Sequence, residues 1–168
     1  MIRIAKVSDS EIIAKLIIKS WQSAYRGLID DKFLDNLSVK SIKKNWKKNI
    51  LSQNEEDRIY VYEEKNEIVG VIRFGEPKDR ENKKYNAEIL VLYVDPTMKR
   101  KGIGSKLFDF AKSILITEDK KDLIIWCLKG NNQGISFYEK NGGRARENRK
   151  SVVNGLEVEE VGFQFNLY

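Results

Sequence analysis

The stretch Asn-Ala-Glu-Ile-Leu-Val-Leu-Tyr-Val-Asp-Pro-Thr-Met-Lys-Arg-Lys-Gly-Ile-Gly, from Asn86 to Gly104, constrains this 168-residue chain more than any other part of it. An apolar run stops at Asp95-Pro96, a basic turn carrying glycines follows, and Ile103, Leu107, Phe108, Ala111 and Leu115 then recur at helical spacing. A strand that enters a helix through Lys-Arg-Lys-Gly-Ile-Gly suits a phosphate group. The glycines allow close backbone approach, the helix N-terminus presents free N–H groups and partial positive charge, and the lysines add whole charges.

The two common phosphate loops do not account for the turn. A P-loop needs Gly-x-x-x-x-Gly-Lys-Ser/Thr, a spacing absent around Gly102, and the third small residue of a dinucleotide fingerprint falls on Leu107. The wider pattern resembles the GNAT N-acetyltransferase superfamily, whose Gln/Arg-x-x-Gly-x-Gly/Ala element grips the pyrophosphate of acetyl-coenzyme A. Here Lys99-Arg-Lys-Gly-Ile-Gly104 follows a family-like Leu92-Tyr-Val-Asp-Pro96. A second block, Asn131-Asn-Gln-Gly-Ile-Ser-Phe-Tyr138-Glu-Lys-Asn-Gly142, is similar to the family's Asn-x-x-Ala-x-x-Phe-Tyr-x-x-x-Gly helix. Two blocks in the right order are far more specific than either alone. Three positions depart from the pattern: Lys99 for Gln or Arg, Gly134 for Ala, and Gly143 for Phe.

With 41% hydrophobic residues, the chain is long enough for one sizeable core, and a single domain over residues 1–168 is expected. No apolar run approaches the ~20 residues of a membrane span, and Met1-Ile-Arg-Ile lacks a signal-peptide layout. One cysteine excludes an intramolecular disulfide and a Cys-x-x-Cys site, so a cytoplasmic protein is expected. The absence of histidine removes Ser-His-Asp and Cys-His machinery and the ordinary histidine zinc sites. No metal is expected, and acid–base chemistry must come from carboxylates, tyrosines, lysines, the lone thiol or the termini.

The net charge of +6 raises the question of nucleic acid, and Lys40-Ser-Ile-Lys-Lys-Asn-Trp-Lys-Lys48 is a dense basic block. Read as a helix, it places its lysines on one side and Val39, Ile42, Trp46 and Ile50 on the other. The apolar stripe explains the spacing as an ordinary surface helix, so a nucleic-acid partner is disfavoured. A homodimer is compatible with the sequence and not required by it.

Along the chain, Ile2 to Val7 reads as a strand and Ser8-Asp-Ser-Glu11 as a capping box before a helix that carries Ile13, Ile17, Trp21 and Ala24. A short helix near Asp31 to Leu37 precedes the lysine-rich helix. Arg58 to Glu63 and Ile68 to Phe74 form a hairpin about Lys65-Asn66, and Pro77 to Asn86 is a charged loop. After the strand and helix of the glycine turn come a buried strand, Leu123 to Leu128, and the helix Asn131 to Asn141. A closing hairpin, Arg144 to Val152 and Val158 to Leu167, turns at Asn154-Gly155. The order β-α-α-β-β-β-α-β-α-β-β indicates an α+β (mixed α/β) sheet with helices on both faces. The resemblance adds a mostly antiparallel seven-stranded sheet whose fourth and fifth strands splay like a V.

The resemblance also implies an acetyl-coenzyme A-dependent N-acetyltransferase in which a primary amine attacks directly, a route that needs no enzyme nucleophile. Removing a proton from an amine of pKa ~10.4 calls for a base, and the departing thiolate of pKa ~8.5 can accept a proton. Tyr138 matches the family tyrosine near the coenzyme sulfur and is the candidate acid. Glu88, at the start of the signature strand, is the candidate base; the opposing reading is a strand-end carboxylate turned to solvent, with Glu63, Glu64 and Tyr93 as substitutes. The coenzyme site would comprise Leu92, Tyr93 and Val94 on the strand, Lys99, Arg100, Lys101, Gly102, Ile103, Gly104 and Ser105 in the turn, with Asn131 and Tyr138 beyond. Asn131 reads equally as a helix cap. Trp21 and Tyr25 share a helix face near the acceptor pocket, although Trp21 also reads as core. Cys127 reads as a small buried hydrophobe. The acceptor would be a small-molecule amine, with a polyamine as the sharper expectation. Amino acids and aminoglycosides stay open as acceptors beside it, and a protein N-terminal or lysine acetyltransferase, and a coenzyme-binding sensor without turnover, are the alternatives.

Overall fold

The computed structural model describes residues 1–78, 84–153 and 155–168, so the middle of the expected charged loop and Asn154 of the expected last turn lie outside the described residues. Strands β1 (Ile2–Ile4), β2 (Asp57–Glu64), β3 (Glu67–Gly75), β4 (Glu88–Val94), β5 (Asp122–Leu128), β6 (Arg144–Val153) and β7 (Leu156–Asn166) form one sheet in the order β1-β2-β3-β4-β5-β7-β6. Every neighbouring pair is antiparallel except β4–β5. Helices α1 (Ser10–Ala24), α2 (Asp31–Asp35) and α3 (Val39–Leu51) precede β2, while α4 (Ile103–Thr117) and α5 (Asn132–Lys140) flank β5. Among the described residues, no helix is long and apolar enough to cross a membrane.

The helical stripes read from the sequence are the buried ones. Ile13, Ile17 and Trp21 of α1 pack with Ile42, Trp46 and Ile50 of α3 against Ile59, Val61 and Val71 of the sheet. On the other face, Ile103, Leu107, Phe108, Ala111 and Leu115 of α4 pack on Ile72, Phe74, Ile89 and Phe165. The lysines of α3 lie on its outward side; Lys43 pairs with Glu11 at 2.6 Å. The β2–β3 turn is tight because Lys65 and Asn66 take φ of 50° and 67°, the left-handed pair that a two-residue hairpin loop requires.

The first segment departs from expectation. The strand stops at Ile4 rather than Val7, because the chain leaves the sheet edge after Ala5 donates to Ile59 and turns through a 3₁₀ segment, Val7–Asp9. The expected Ser8–Glu11 capping box does not form. Asp9 instead accepts the Lys6 N–H at 2.7 Å and pairs with Arg3 at 2.7 Å, so its carboxylate ties the 3₁₀ segment and α1 starts at Ser10.

The parallel pair positions everything that follows. β4 and β5 are paired only at Glu88–Ile124 and Ile89–Ile125, and then they separate. At the same level the β3–β4 register shifts: Phe74 faces Ile89 but Arg73 faces Val91, leaving Leu90 as an extra residue. A bulge of this kind bends its strand and increases its twist. β4 thereby swings away from β5, and the V-shaped gap expected from the resemblance opens beyond Leu90.

Candidate active site

Along the open edge of β4, backbone polarity is set by the neighbour on the other side. Asp95 donates its N–H to Val69 on β3 at 2.8 Å. Backbone groups alternate along a strand, so the N–H and C=O of Leu92 and Val94 face the gap. Among the described residues, the Val94 carbonyl alone of these finds a side-chain partner there, the Ser20 hydroxyl at 3.2 Å.

The strand ends where Asp95 accepts the Thr97 N–H at 2.8 Å and holds Lys19 at 2.8 Å. The turn that follows contains two left-handed residues, Arg100 at φ 63° and Gly102 at φ 74°. Gly102 is the N-cap of α4 and carries no side-chain cap, so the first N–H groups of that helix are left for a ligand. Gly104 faces the gap across from Phe137 and Val94.

A cleft of about 190 Å³ occupies the gap. Its lining includes Leu92, Tyr93 and Val94 of β4, Lys99 and Gly104 of the turn, Cys127 of β5, and Asn131 and Tyr138 of α5. Of the remaining turn residues, Arg100, Lys101, Gly102 and Ser105 lie outside this lining. Ile103 is 2% exposed with its side chain in the core, so it offers a ligand only its backbone N–H. The Lys99 ammonium bridges the Ser23 hydroxyl and the Gln133 amide oxygen at 3.0 Å each, tying α1 to α5 across the mouth. Asn131 is the N-cap of α5, accepting the Gly134 N–H at 3.1 Å, while also lining the cleft.

The two glycine departures in the second block have steric causes. A Cβ at Gly134 would sit 2.7 Å from the Asn131 amide and 2.9 Å from the Cys127 sulfur. A Cβ at Gly143 would sit 2.6 Å from the Phe165 ring and 2.8 Å from the Tyr138 carbonyl oxygen.

Tyr138 is 8% exposed and packs against Phe137 and Phe163. Burial, then the neighbouring Cys127 and Tyr93, hold its phenol well above the ordinary tyrosine range, and no hydrogen bond from the described residues offsets them. It stays protonated throughout the neutral range. Burial likewise raises the Cys127 thiol to about 12, which leaves it inert as a nucleophile.

On the opposite side of the gap lies a larger pocket of about 610 Å³, bounded by α1, α3 and the β6–β7 hairpin. Leu90, Val91, Tyr93, Trp126 and Tyr25 line both cavities, so the two meet at the parting of the strands. Glu88 faces this second pocket and is only 4% exposed, which overturns the solvent-facing reading. Desolvation raises its pKa, opposed by the Lys78 N–H at 2.9 Å and by the charge of Arg149. Glu63 is bound to Arg3 at 2.7 Å, and neither it nor Glu64 lines either cavity.

Trp21 is at once a core residue, 7% exposed, and part of the second pocket's wall. It meets Tyr25 edge-on at 5.3 Å, and Tyr25 and Tyr93 share a hydrogen bond of 3.2 Å between their hydroxyls. Burial raises the Tyr93 phenol, with Tyr25 and then Trp21 acting to lower it, although the Trp21 N–H has no partner of full hydrogen-bond geometry among the described residues. Arg73, Lys78, Trp46, Trp126 and Arg149 also border this pocket, and none of them carried a motif in the sequence. Trp46 had appeared there only as part of a helical stripe.

Gly104 provides a direct test of the cleft. A Cβ there would lie 3.5 Å and 3.6 Å from the Phe137 ring, ordinary contact, so the fold tolerates it. The branched carbons of Gly104→Val would intrude on the gap. Acetyl-coenzyme A affinity measured by calorimetry is expected to fall about tenfold, or ~1.4 kcal/mol. Unchanged affinity in a folded variant would exclude the glycine turn from the coenzyme site.

Comparison with known proteins bears on the same region. The model of the acetyltransferase (GNAT) family matches residues 17–143. An uncharacterized N-acetyltransferase of Bacillus subtilis is 26% identical over 161 residues, covering 96% of this chain and 90% of that protein. A spermidine N(1)-acetyltransferase of Thermoplasma acidophilum is 26% identical over 148 residues, covering 87% of this chain and 89% of that protein. Among solved structures, the PaiA N-acetyltransferase of Thermoplasma acidophilum in complex with coenzyme A superposes with a TM-score of 0.78 at 20% identity, covering 99% of this chain and 98% of that one.

Proposed function

The chain belongs to the acetyltransferase (GNAT) family, and from that premise we propose that it transfers acetyl from acetyl-coenzyme A to a small primary amine, the two substrates meeting at the parting of β4 and β5. The observation that carries this reading is the pair of cavities sharing one wall. The narrower has backbone groups and a helix N-terminus suited to a pantetheine chain and its phosphates. The wider has a buried carboxylate suited to an ammonium group.

Bound acetyl-coenzyme A supplies an activated thioester. Leu92 and Val94 direct backbone groups at the arm that carries it, and the α4 N-terminus, with Lys99 beside it, holds the anionic end. Glu88 takes a proton from the acceptor ammonium, so that the free nitrogen forms the amide bond as the carbon–sulfur bond breaks. Tyr138 donates a hydrogen bond to the sulfur, which leaves as the thiolate and takes up the proton that the attacking nitrogen sheds on becoming an amide. Acid and base thus lie on opposite sides of the gap, each on its own substrate's side. The polyamine expectation draws its support from the name of the Thermoplasma relative.

Thiol release from acetyl-coenzyme A, followed across a panel of amines with mass detection of the acetylated product, tests the proposal. Amine-dependent release is expected. Tight coenzyme binding with no release from any amine would instead favour a sensor without turnover.

A further inference from the structure

The charges around the wider pocket bear on what the acceptor carries besides its amine. Arg73 is bound to Asp57 through two hydrogen bonds, 2.7 Å and 2.5 Å. Lys150 stands opposite Glu157 at 3.5 Å, both well exposed. Glu160 is committed twice through one oxygen, to Arg149 at 2.7 Å and to Ser151 at 2.8 Å. Among the described lining residues, Glu88 is then the one carboxylate without a cationic side chain bonded to it.

The cations are less fully used. Arg149 gives Glu160 only its Nε, and its guanidinium carbon lies over Trp126, 4.0 Å from the ring centroid. Its two terminal nitrogens have no partner among the described residues, in a fork pre-set by the carboxylate behind and the indole beneath. Lys78 lends its backbone N–H to Glu88, and its ammonium has no acidic partner among the described residues. Both charges act on Glu88. A polyamine would bring further ammonium groups past Glu88 into the field of these two cations, with no second carboxylate free of a cationic partner among the described lining residues to receive them. Juxtaposed like charges select against such a ligand.

We propose that the acceptor is an amine bearing a carboxylate, as in a free amino acid, with the amine at Glu88 and the carboxylate on Arg149 and Lys78. This rests on the acetyl-transfer reading above. A guanidinium fork matches a carboxylate in paired, charge-assisted hydrogen bonds, and Arg149 is a positioning residue for the acceptor. The walls of Trp21, Tyr25, Trp46 and Trp126 suit an apolar side chain on the same molecule.

Paired probes decide it: L-phenylalanine against phenethylamine, L-leucine against isoamylamine, and spermidine alone, each with saturating acetyl-coenzyme A. The amino acid of each pair is expected to exceed its decarboxylated partner in kcat/KM at least about tenfold, the scale of one charged hydrogen bond. In Arg149→Met the KM for the amino acid is expected to rise about 10- to 100-fold with kcat changed far less, which collapses the preference within each pair. Arg149→Lys should restore part of it. Lys78→Met disturbs no ion pair of the described residues and is expected to weaken the same preference, which keeps the proposal testable should loss of the Arg149–Glu160 pair prevent folding. Spermidine or a decarboxylated amine turned over as well as the amino acids would overturn the proposal while leaving acetyl transfer intact. Release from none of the amines, with coenzyme bound, would overturn both.

Discussion

Tyr138→Phe is expected to lower kcat about 10²-fold while leaving the fold and the coenzyme affinity in place. The size follows from the surroundings of the phenol. A thiolate of pKa ~8.5 is a weaker base than the anion of a free phenol of pKa ~10, and burial pushes Tyr138 further in the same direction. Complete transfer from this phenol to sulfur is therefore uphill. What it can give is a hydrogen bond that strengthens as negative charge grows on sulfur in a site from which water is largely excluded. Such bonds to charged groups contribute ~1.5–3 kcal/mol, or about 10- to 150-fold. The ring remains packed between Phe137 and Phe163 after the substitution, so stability should scarcely change. Single-turnover rates at saturating amine and coenzyme isolate the step. A rate equal to wild type would remove Tyr138 from the chemistry and leave it as a packing residue of α5.

The parts of this site that were legible in the sequence are those written in contiguous residues. The Lys99–Gly104 turn declares itself because a glycine N-cap, an apolar run before it and a helical stripe after it are all local features. Tyr138 was singled out by the resemblance of Phe137-Tyr138 to the family helix and lines the cleft, and Asn131 caps α5 while also lining the cleft. The direction of Glu88 was not legible. It depends on the one-residue shift at Leu90, which exists only in the pairing of β4 with β3, and no periodicity within β4 reveals it. Arg149 was silent for a similar reason. In the sequence it is one of several basic residues in a strand, and only the β5–β7–β6 register brings it over Trp126 and onto Glu160. The first strand was read too long because Ala5 and Val7 are apolar. Apolar spacing does not tell a residue in a sheet ladder from one buried in the turn that leaves it.

Glu88→Gln is expected to produce the larger loss and the more telling pH dependence. An alkylamine of pKa ~10.4 is unprotonated to about one part in 10³ at pH ~7.4, so an enzyme without a base depends on that minor fraction. With Glu88 in place, the ammonium binds and delivers its proton inside the pocket. Its carboxyl pKa is raised by burial, which makes the carboxylate a better base near neutrality, and the penalty appears on the acid side. The sign is then fixed. Wild-type kcat/KM should fall as pH drops through the raised Glu88 pKa and stay level above it until the amine itself titrates. In the Gln variant that plateau disappears, and kcat/KM climbs about tenfold per pH unit toward the amine pKa. The deficit should be about 10²–10³-fold near pH ~7 and shrink to a few-fold near pH ~10. Gln keeps the shape and an oxygen that can accept the Lys78 N–H, so folding is not the variable. Parallel pH profiles, offset by a constant factor, would show that Glu88 shapes the pocket without accepting the proton. The base would then have to be sought elsewhere on the shared wall, where Tyr93 is the remaining titratable group besides Tyr25.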